Sequence, residues 1–169
     1  MKGYARLAGF TLSLLMLSAC GSLKKNTSEN EMISRYFTFG EAIHSDYAIK
    51  HHILNYPRKS SHRNNILRTA KRMDEIRELL GRPIVITSWY RSAKINDAVG
   101  GSDSSEHREG LAVDFYLDKT NPAAEFNRIA KSGLSFDQLI FYTGGHRAHI
   151  GFRKNKRRER REVRRVSGR

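Results

Sequence analysis

The segment that decides the fold runs from Ser105 to Asp114 and reads Ser-Glu-His-Arg-Glu-Gly-Leu-Ala-Val-Asp. It carries His107 and Asp114 seven residues apart, and a further histidine, His149, follows 35 residues after Asp114. Imidazole nitrogens and carboxylate oxygens are preferred ligands of zinc. Two histidines and one carboxylate leave a fourth coordination position for water, which is the layout of a catalytic zinc site. The spacing therefore makes these three residues candidate ligands of one Zn2+ ion per chain.

Each candidate ligand also has a structural interpretation. The chain contains seven histidines, and a single histidine before a strand more often has a structural or surface role. A spacing match alone carries a real risk of false assignment. The zinc hypothesis therefore depends on whether the rest of the chain provides a fold on which the three residues meet.

The N-terminal segment has the pattern of an export signal. Lys2 and Arg6 precede an apolar run from Leu7 to Leu17, and small residues and a cysteine follow in Ser18–Gly21. A basic region, a short apolar region and small residues at a cut site are typical of a signal peptide. The run is too short to span a bilayer comfortably. A small residue before a cysteine resembles the lipobox of bacterial lipoproteins, in which the cysteine is acylated after cleavage.

We therefore expect residues 1–19 to be a lipoprotein-type signal peptide and Cys20, the only cysteine, to be lipidated. The protein would then be exported and anchored to a bacterial membrane, in the periplasm or cell envelope. The alternative is an ordinary signal peptide, or an uncleaved anchor, with an incidental cysteine. A lone cysteine also excludes a disulfide scaffold and a zinc site built from cysteines.

Length and charge limit the remaining possibilities. About 150 residues remain after cleavage at Cys20, enough for one domain with a hydrophobic core. The formal net charge is +14, and residues 153–169 alone hold ten Lys or Arg against two Glu. Such a run is typical of a solvated, partly disordered tail, and it favours an anionic surface such as lipid headgroups or the cell-wall polymer. Nucleic acid is the weakest candidate partner, because no aromatic residues interleave the basic ones.

The polar residues 20–35 are expected to form a flexible tether, and residues 36–152 to form the domain. Thr38, with Glu41 three residues later, is a capping-box pattern that predicts a helix from Phe39 to about Lys50.

Two further helices follow from periodicity and capping signals. Apolar residues at three- and four-residue steps predict a helix from Asn64 or Asn65 to Leu80, ended by Gly81. Asn121 followed by proline predicts a helix over Pro122–Ser132.

Four apolar or alternating runs predict strands, at Ile84–Thr87, Leu111–Tyr116, Asp137–Tyr142 and Ala148–Phe152. A long loop, Ser88–Ser104, separates the first two strands, and loops of this length are often functional. The fold class predicted from these elements is α+β, with two or three helices packed on a small, mostly antiparallel sheet.

On such a sheet His107 lies just before one strand, Asp114 within it and His149 on the last strand, so all three can converge at one face. Arg91 opens the long loop, and a guanidinium can pair bidentately with a carboxylate, so Arg91 is a candidate clamp for an anionic peptide group. Taken alone, Arg91 is as consistent with a surface ion pair, and Asp137 with a solvated position at a strand start.

The ordered motifs of the chain resemble the zinc D-Ala-D-Ala carboxypeptidase superfamily, which includes the VanX dipeptidases, many phage endolysins and the signalling domain of hedgehog proteins. The most similar branch is the small carboxypeptidase-like domain of bacteriophages and prophages. The resemblance is carried by Tyr36–Thr38, Ile86–Ser92, Asn96–Gly101, Ser105–Asp114, Phe136–Ile140 and His149–Ile150.

The resemblance implies that His107, Asp114 and His149 are zinc ligands. It also implies that Arg91 binds the substrate carboxylate or the developing oxyanion, and that Ser105 shapes the ligand loop and contacts substrate. The implied reaction is hydrolysis of a peptide bond in peptidoglycan stems or cross-links, by a chain expected to act as a monomer.

One departure from the family pattern concerns the general base. Many members carry a catalytic glutamate three residues before the last zinc histidine, where this chain has His146. Other branches carry a glutamate shortly after the Asp-Gln-Leu-Ile strand, where this chain has Phe141, Tyr142 and Thr143. Three explanations are open. His146 or Asp137 takes the role, each being able to move a proton if suitably tuned; Glu106 or Glu109 reaches the site from the ligand loop; or the site binds zinc without efficient turnover.

Two main hypotheses follow, a lipid-anchored murein peptidase and a non-catalytic zinc- or wall-binding module that keeps the peptidase fold. A remoter possibility is a phage structural or lysis lipoprotein whose domain docks a partner.

Overall fold

The computed structural model describes residues 28–167. The predicted signal peptide, Cys20 and the first part of the predicted tether lie outside these residues. Within the described part, none of the helices has both the length and the apolar character needed to cross a membrane. The described residues form the predicted α+β fold, a five-stranded and mostly antiparallel sheet with helices packed on it.

Two of the helices are long, with 21 and 10 residues, and they cover the sheet. The α-helices of the described part are α1 (Phe39–Ile43), α2 (Asp46–Lys50), α3 (Ser60–Leu80), α4 (Ala93–Ala98), α5 (Glu106–Glu109) and α6 (Pro122–Lys131). A 3-10 turn, Lys156–Arg158, lies near the C-terminus.

Local capping explains where these helices begin and end. The Thr38 side chain accepts from the backbone N–H of Glu41, and the Glu41 carboxylate accepts from the backbone N–H of Thr38, which completes the predicted capping box of α1. The helix predicted from Phe39 to Lys50 is interrupted, however. His44 is extended and Ser45 caps a new helix by accepting from the backbone N–H of Ala48, so two short helices replace one long helix.

Helix α3 follows the predicted periodicity but begins at Ser60, before the predicted Asn64 or Asn65. It ends as predicted, because Gly81 adopts a left-handed conformation with φ of 72° that favours glycine. Its buried face includes Ile66, Ala70 and Met73, which are 0% exposed. Burial of each large apolar side chain of this kind stabilises the fold by about 1.5–3 kcal/mol.

The sheet has the strand order β1-β2-β4-β3-β5, and its strands are β1 (Ile86–Ser88), β2 (Ala112–Tyr116), β3 (Gln138–Tyr142), β4 (Arg147–Gly151) and β5 (Glu162–Val166). All neighbouring strands are antiparallel except β3 and β5. Side chains alternate between the two faces. One face carries the buried Val113, Phe115 and Ile150 against the helices, and the other face carries Asp114 and His149.

The predicted tether and tail differ from the structure where it describes them. Residues 29–35 pack on the domain: Ile33 is buried, and the Ser34 hydroxyl and Arg35 backbone N–H donate to Asp74 on α3. Residues 153–166 do not form a solvated tail, because β5 pairs in parallel with β3 along its whole length. Hydrophobic patterning missed this strand, because four of its five residues are exposed and it has no buried apolar face.

The predicted loop Ser88–Ser104 also contains an element of its own, helix α4. Asn96 of this helix holds the following loop in place, because its side-chain amide donates to the carbonyls of Gly101 and Ser102. The segment therefore has a defined path beside the ligand-bearing residues.

Candidate metal centre

Three side chains from α5, β2 and β4 converge in the structure. The Asp114 Oδ1 atom lies 2.8 Å from His149 Nδ1 and 3.3 Å from His107 Nε2. His107 Nε2 and His149 Nδ1 are 3.3 Å apart. The structure thus brings together the three residues that the sequence proposed as metal ligands, and among residues 28–167 no further His, Cys, Asp or Glu joins this group.

Strand pairing accounts for one half of this geometry. Asp114 and His149 are direct partners in the antiparallel β2–β4 pair, so their side chains project from the same face. Ser88 of β1 is the partner of Asp114 on its other side, and Ile140 of β3 is the partner of His149. The two ligands are therefore placed by backbone hydrogen bonds near the middle of the sheet.

A tight turn places the third ligand. Helix α5 carries His107 and ends at Gly110, whose φ of 75° requires the left-handed conformation that glycine adopts without strain. A Cβ atom at this position would lie 2.7 Å from Cγ1 of Ile66 and 3.2 Å from the backbone oxygen of His62. Glycine at this position therefore allows α5 to pack closely on α3 and the chain to reverse from His107 into β2.

The backbone fixes the orientation of His107, which is 4% exposed. Its Nδ1 atom lies 2.7 Å from the carbonyl oxygen of Trp89. A carbonyl only accepts, so Nδ1 carries a proton, and Nε2 would present its lone pair to a bound metal. An outer hydrogen bond of this kind sets the tautomer and ring orientation of metal-ligating histidines.

The Asp114 carboxylate is held on both sides. Its Oδ1 atom faces the two histidines, while Oδ2 accepts from Arg91 Nη2 at 2.7 Å. Burial by itself would raise the pKa of Asp114, but the charges and hydrogen bonds of His107 and His149 outweigh it and lower that pKa well below its usual range. The group is therefore an ionised carboxylate at neutral pH, the form that binds a cation.

These donor atoms fit zinc. A zinc ion with ligand distances of about 2.0–2.1 Å separates tetrahedral ligand atoms by about 3.3 Å. Two of the three observed separations are 3.3 Å and the third is 2.8 Å. Two imidazoles and one carboxylate, with one histidine oriented by a backbone carbonyl, are a typical ligand set of an open zinc site.

The two residues predicted to contact substrate, Arg91 and Ser105, have different surroundings in the structure. The Arg91 guanidinium donates to Asp114 and, through Nε, to Ser88 Oγ at 2.8 Å. It therefore supports a candidate ligand, and its binding of a substrate group stays a prediction. Ser105 caps the start of α5 without a side-chain capping bond and lines a cavity together with Tyr90 and Ser92.

Asp137 and His146, the first candidates for the general base, lie outside the group. Asp137 is 1% exposed and accepts from Arg160 Nη2 at 2.6 Å and from Arg153 Nε at 2.5 Å. Burial opposes ionisation, but these guanidinium contacts lower the pKa of Asp137 to about 2, so it is a weak base at neutral pH. His146 is exposed on the turn before β4, and its backbone carbonyl accepts from the Leu117 N–H.

The two glutamates of α5 differ in their contacts. Glu109 accepts from Lys154 Nζ at 2.7 Å, and this bond lowers its pKa. Glu106 directly precedes His107, and within the described residues its carboxylate has neither a side-chain hydrogen bond nor an ion pair. Of the two glutamates, Glu106 is the one without a side-chain hydrogen bond or ion pair among residues 28–167, and its charge acts on Arg160.

Sequence reasoning missed two groups near the candidate centre. The first is the Trp89 carbonyl, which lies 2.7 Å from His107 Nδ1 although the two residues are 18 positions apart. The second is Tyr142, which projects from the same face of β3 as Ile140, the partner of His149. Burial and the negative charge of Asp114 raise the pKa of Tyr142, so its phenol is a hydrogen-bond donor at neutral pH. Alternation along the predicted strand was the available signal for Tyr142.

Comparison with known protein families identifies what the chain is similar to. The sequence profile of the family described as Peptidase M15 matches residues 35–151, which include all three candidate ligands. No curated protein matches the chain.

Proposed function

Since the chain belongs to the Peptidase M15 family, a zinc D-Ala-D-Ala carboxypeptidase-like family, we propose that it is a zinc-dependent peptidoglycan peptidase. The observation that carries this proposal is the convergence of His107, Asp114 and His149 on one point of the sheet. The reaction would be hydrolysis of a peptide bond in murein stems or cross-links, as a carboxypeptidase or an endopeptidase.

The residues of the chain have distinct parts in this proposal. His107, Asp114 and His149 would hold the zinc ion, which when bound polarises a carbonyl and lowers the pKa of a bound water. Arg91 keeps the Asp114 carboxylate oriented. Tyr142 offers a neutral donor on the same face of the sheet, suited to a developing oxyanion, and Glu106, next to His107 in the sequence, would accept a proton.

A second candidate function is a zinc- or wall-binding module without turnover. The observation that favours it is the composition of the group itself, which in the described residues includes no carboxylate beyond Asp114. Both functions share the metal and differ in whether a base completes the site.

Metal stoichiometry tests the part that both functions share. We expect the purified protein to bind about one zinc per chain, and His107→Ala to abolish that binding. His146→Ala is the matched control, because His146 is exposed and outside the group, and we expect it to retain full occupancy. Zinc absent from the wild-type protein, or retained by His107→Ala, would exclude this site.

Digestion of isolated peptidoglycan separates enzyme from binder. Muropeptide mass spectrometry should show new cleavage products with the zinc-loaded wild type, and none with His107→Ala. Glu106→Gln should keep the zinc and lose most of the activity if Glu106 is the base. Full zinc occupancy without any new product would favour the binding module.

We also propose that the protein is exported and lipid-anchored through Cys20, which would place a cationic enzyme beside the cell wall. The leader pattern of residues 1–21 supports this. Intact mass of the protein from the membrane fraction should show a cleaved chain carrying acyl groups on Cys20, and an unmodified Cys20 would contradict the proposal.

A further inference from the structure

A large open cavity lies at the end of the sheet next to the candidate metal centre. Its volume is about 1030 Å³, which is ample for several residues of a peptide. We call it the end cavity, and its lining includes Val85, Tyr116, Lys119, His146 and Arg147.

Strand register connects the end cavity to the candidate ligands. Tyr116 pairs with Arg147 in the β2–β4 ladder, two residues beyond the pair of Asp114 and His149. Residues two apart on a strand share a face and are separated by about 6.6–6.8 Å. Tyr116 and Arg147 therefore project from the face that carries the candidate ligands, within the length of about two residues of an extended peptide.

Some cations that line the end cavity are paired with carboxylates of the protein, and others are not. Arg82 is bound by Glu125, and the Asp118 carboxylate accepts from Thr120. Lys119 and Arg147, in contrast, have neither an ion pair nor a side-chain hydrogen bond among residues 28–167. Two uncommitted cations on the wall of one cavity favour a carboxylate as ligand.

Arg147 is better placed for this role than Arg91. The Arg91 guanidinium is bound to Asp114 and Ser88 and is mostly buried, with 18% of its side chain exposed. Binding a substrate there would compete with support of a candidate ligand. Arg147 is exposed, so it can bind an anion without disturbing the centre.

The remaining wall suits the aliphatic part of a peptide. Val85 is 58% exposed and Tyr116 is 41% exposed, and both are apolar surfaces beside the cations. We propose that the end cavity is a specificity subsite, in which Arg147 and Lys119 bind a carboxylate of the peptide substrate. This inference rests on the proposed peptidase function and names its substrate class, an acidic peptide.

The subsite can be tested without chemistry, by calorimetric titration of the metal-free protein with a synthetic peptidoglycan stem pentapeptide. Loss of a charge-assisted contact in Arg147→Ala should weaken binding about tenfold or more. Lys119→Ala should weaken it less, and Arg147→Lys should recover part of the loss. Arg68→Ala and Lys71→Ala are matched controls, because both side chains are exposed on α3, and they should bind as wild type.

Amidated probes identify the carboxylate. One probe carries an amide at the C-terminus, and the other carries an amide at the side-chain carboxyl. The probe that lacks the recognised carboxylate should bind the wild-type protein as weakly as the free acid binds Arg147→Ala. Urea unfolding midpoints equal to wild type will show that the variants are folded. The subsite is excluded if the free acid does not bind, if Arg147→Ala binds it as wild type does, or if neither amide weakens binding.

A kinetic measurement separates this inference from the proposed function. With zinc present, Arg147→Ala should raise KM for the pentapeptide and leave kcat nearly unchanged, since the contact is remote from the scissile bond. A wild-type protein that binds the acid through Arg147 but hydrolyses no peptide would leave the subsite standing and refute the peptidase. Hydrolysis by the wild type together with an unchanged KM in Arg147→Ala would support the peptidase and refute the subsite.

Discussion

The turn at Gly110 gives the sharpest prediction about the fold, because two independent costs meet there. Alanine at φ of 75° costs about 1–2 kcal/mol in backbone conformation. The added Cβ would also lie 2.7 Å from Ile66 Cγ1 and 3.2 Å from the His62 backbone oxygen. Overpacking of this kind costs about 1–3 kcal/mol, so we expect Gly110→Ala to lower the free energy of unfolding by about 2–5 kcal/mol.

Two other glycines separate these costs. Gly81 has φ of 72° and nothing within 4 Å of an added Cβ, so Gly81→Ala should lose only the conformational part, about 1–2 kcal/mol. Gly133 has neither a positive φ nor a neighbour within 4 Å, so Gly133→Ala should lose no stability.

Urea unfolding of the three variants under identical conditions measures these differences. Chelator competition should also show weaker zinc binding in Gly110→Ala alone, because a displaced turn moves His107 relative to Asp114. If Gly110→Ala is no less stable than Gly81→Ala, close packing of the ligand turn against α3 is not what requires glycine there.

Two further predictions concern the ion pairs made by the segment after β4. Glu159 is buried, with 1% of its side chain exposed, and is paired with Arg72, so Glu159→Ala should lower the free energy of unfolding by about 3–5 kcal/mol. Glu78→Ala, which removes a pair whose side chains are 71% and 49% exposed, should cost about 0–1 kcal/mol in the same urea experiment, and equal losses would contradict a buried clamp. The pKa of Asp137 is lowered in the folded protein from 3.8 to about 2, so its stabilisation is present above pH 4 and is lost as pH falls through 2. Asp137→Asn should therefore flatten the acid limb of a stability-against-pH curve, and a curve as steep as that of wild type would show that the Arg160 contact contributes nothing to it.

Local chemistry explains what could be predicted from the sequence. The capping box of Thr38 and Glu41, the end of α3 at Gly81 and the Asn121 cap of α6 each depend on residues within a few positions. Alternation and apolar runs located β2, β3 and most of β4 for the same reason. His107, Asp114 and His149 were identifiable because zinc accepts few residue types and because two of them flank one short turn.

Contacts between distant residues could not be predicted. Arg91 looked like a free clamp, and only the β1–β2 pairing shows that its guanidinium binds Asp114 across 23 residues. Asp137 looked like a candidate base, and only folding brings Arg153 and Arg160 to it. The role of a charged side chain depends on which oppositely charged group lies beside it in the folded protein, and sequence spacing does not contain that information.

The basic C-terminal segment shows the same division most clearly. Its composition determined its charge and suggested a solvated tail, since a strand is recognised by apolar alternation and β5 has little of it. The tertiary structure decided that the segment becomes an edge strand, because Glu159 of the segment pairs with Arg72 on α3, Asp137 binds the flanking Arg160, and β3 offers an unpaired backbone. The sequence by itself thus determined the fold class and the three candidate ligands. Only the tertiary structure decided which charges are paired within the fold and which, as at Arg147 and Lys119, have no ion pair among residues 28–167.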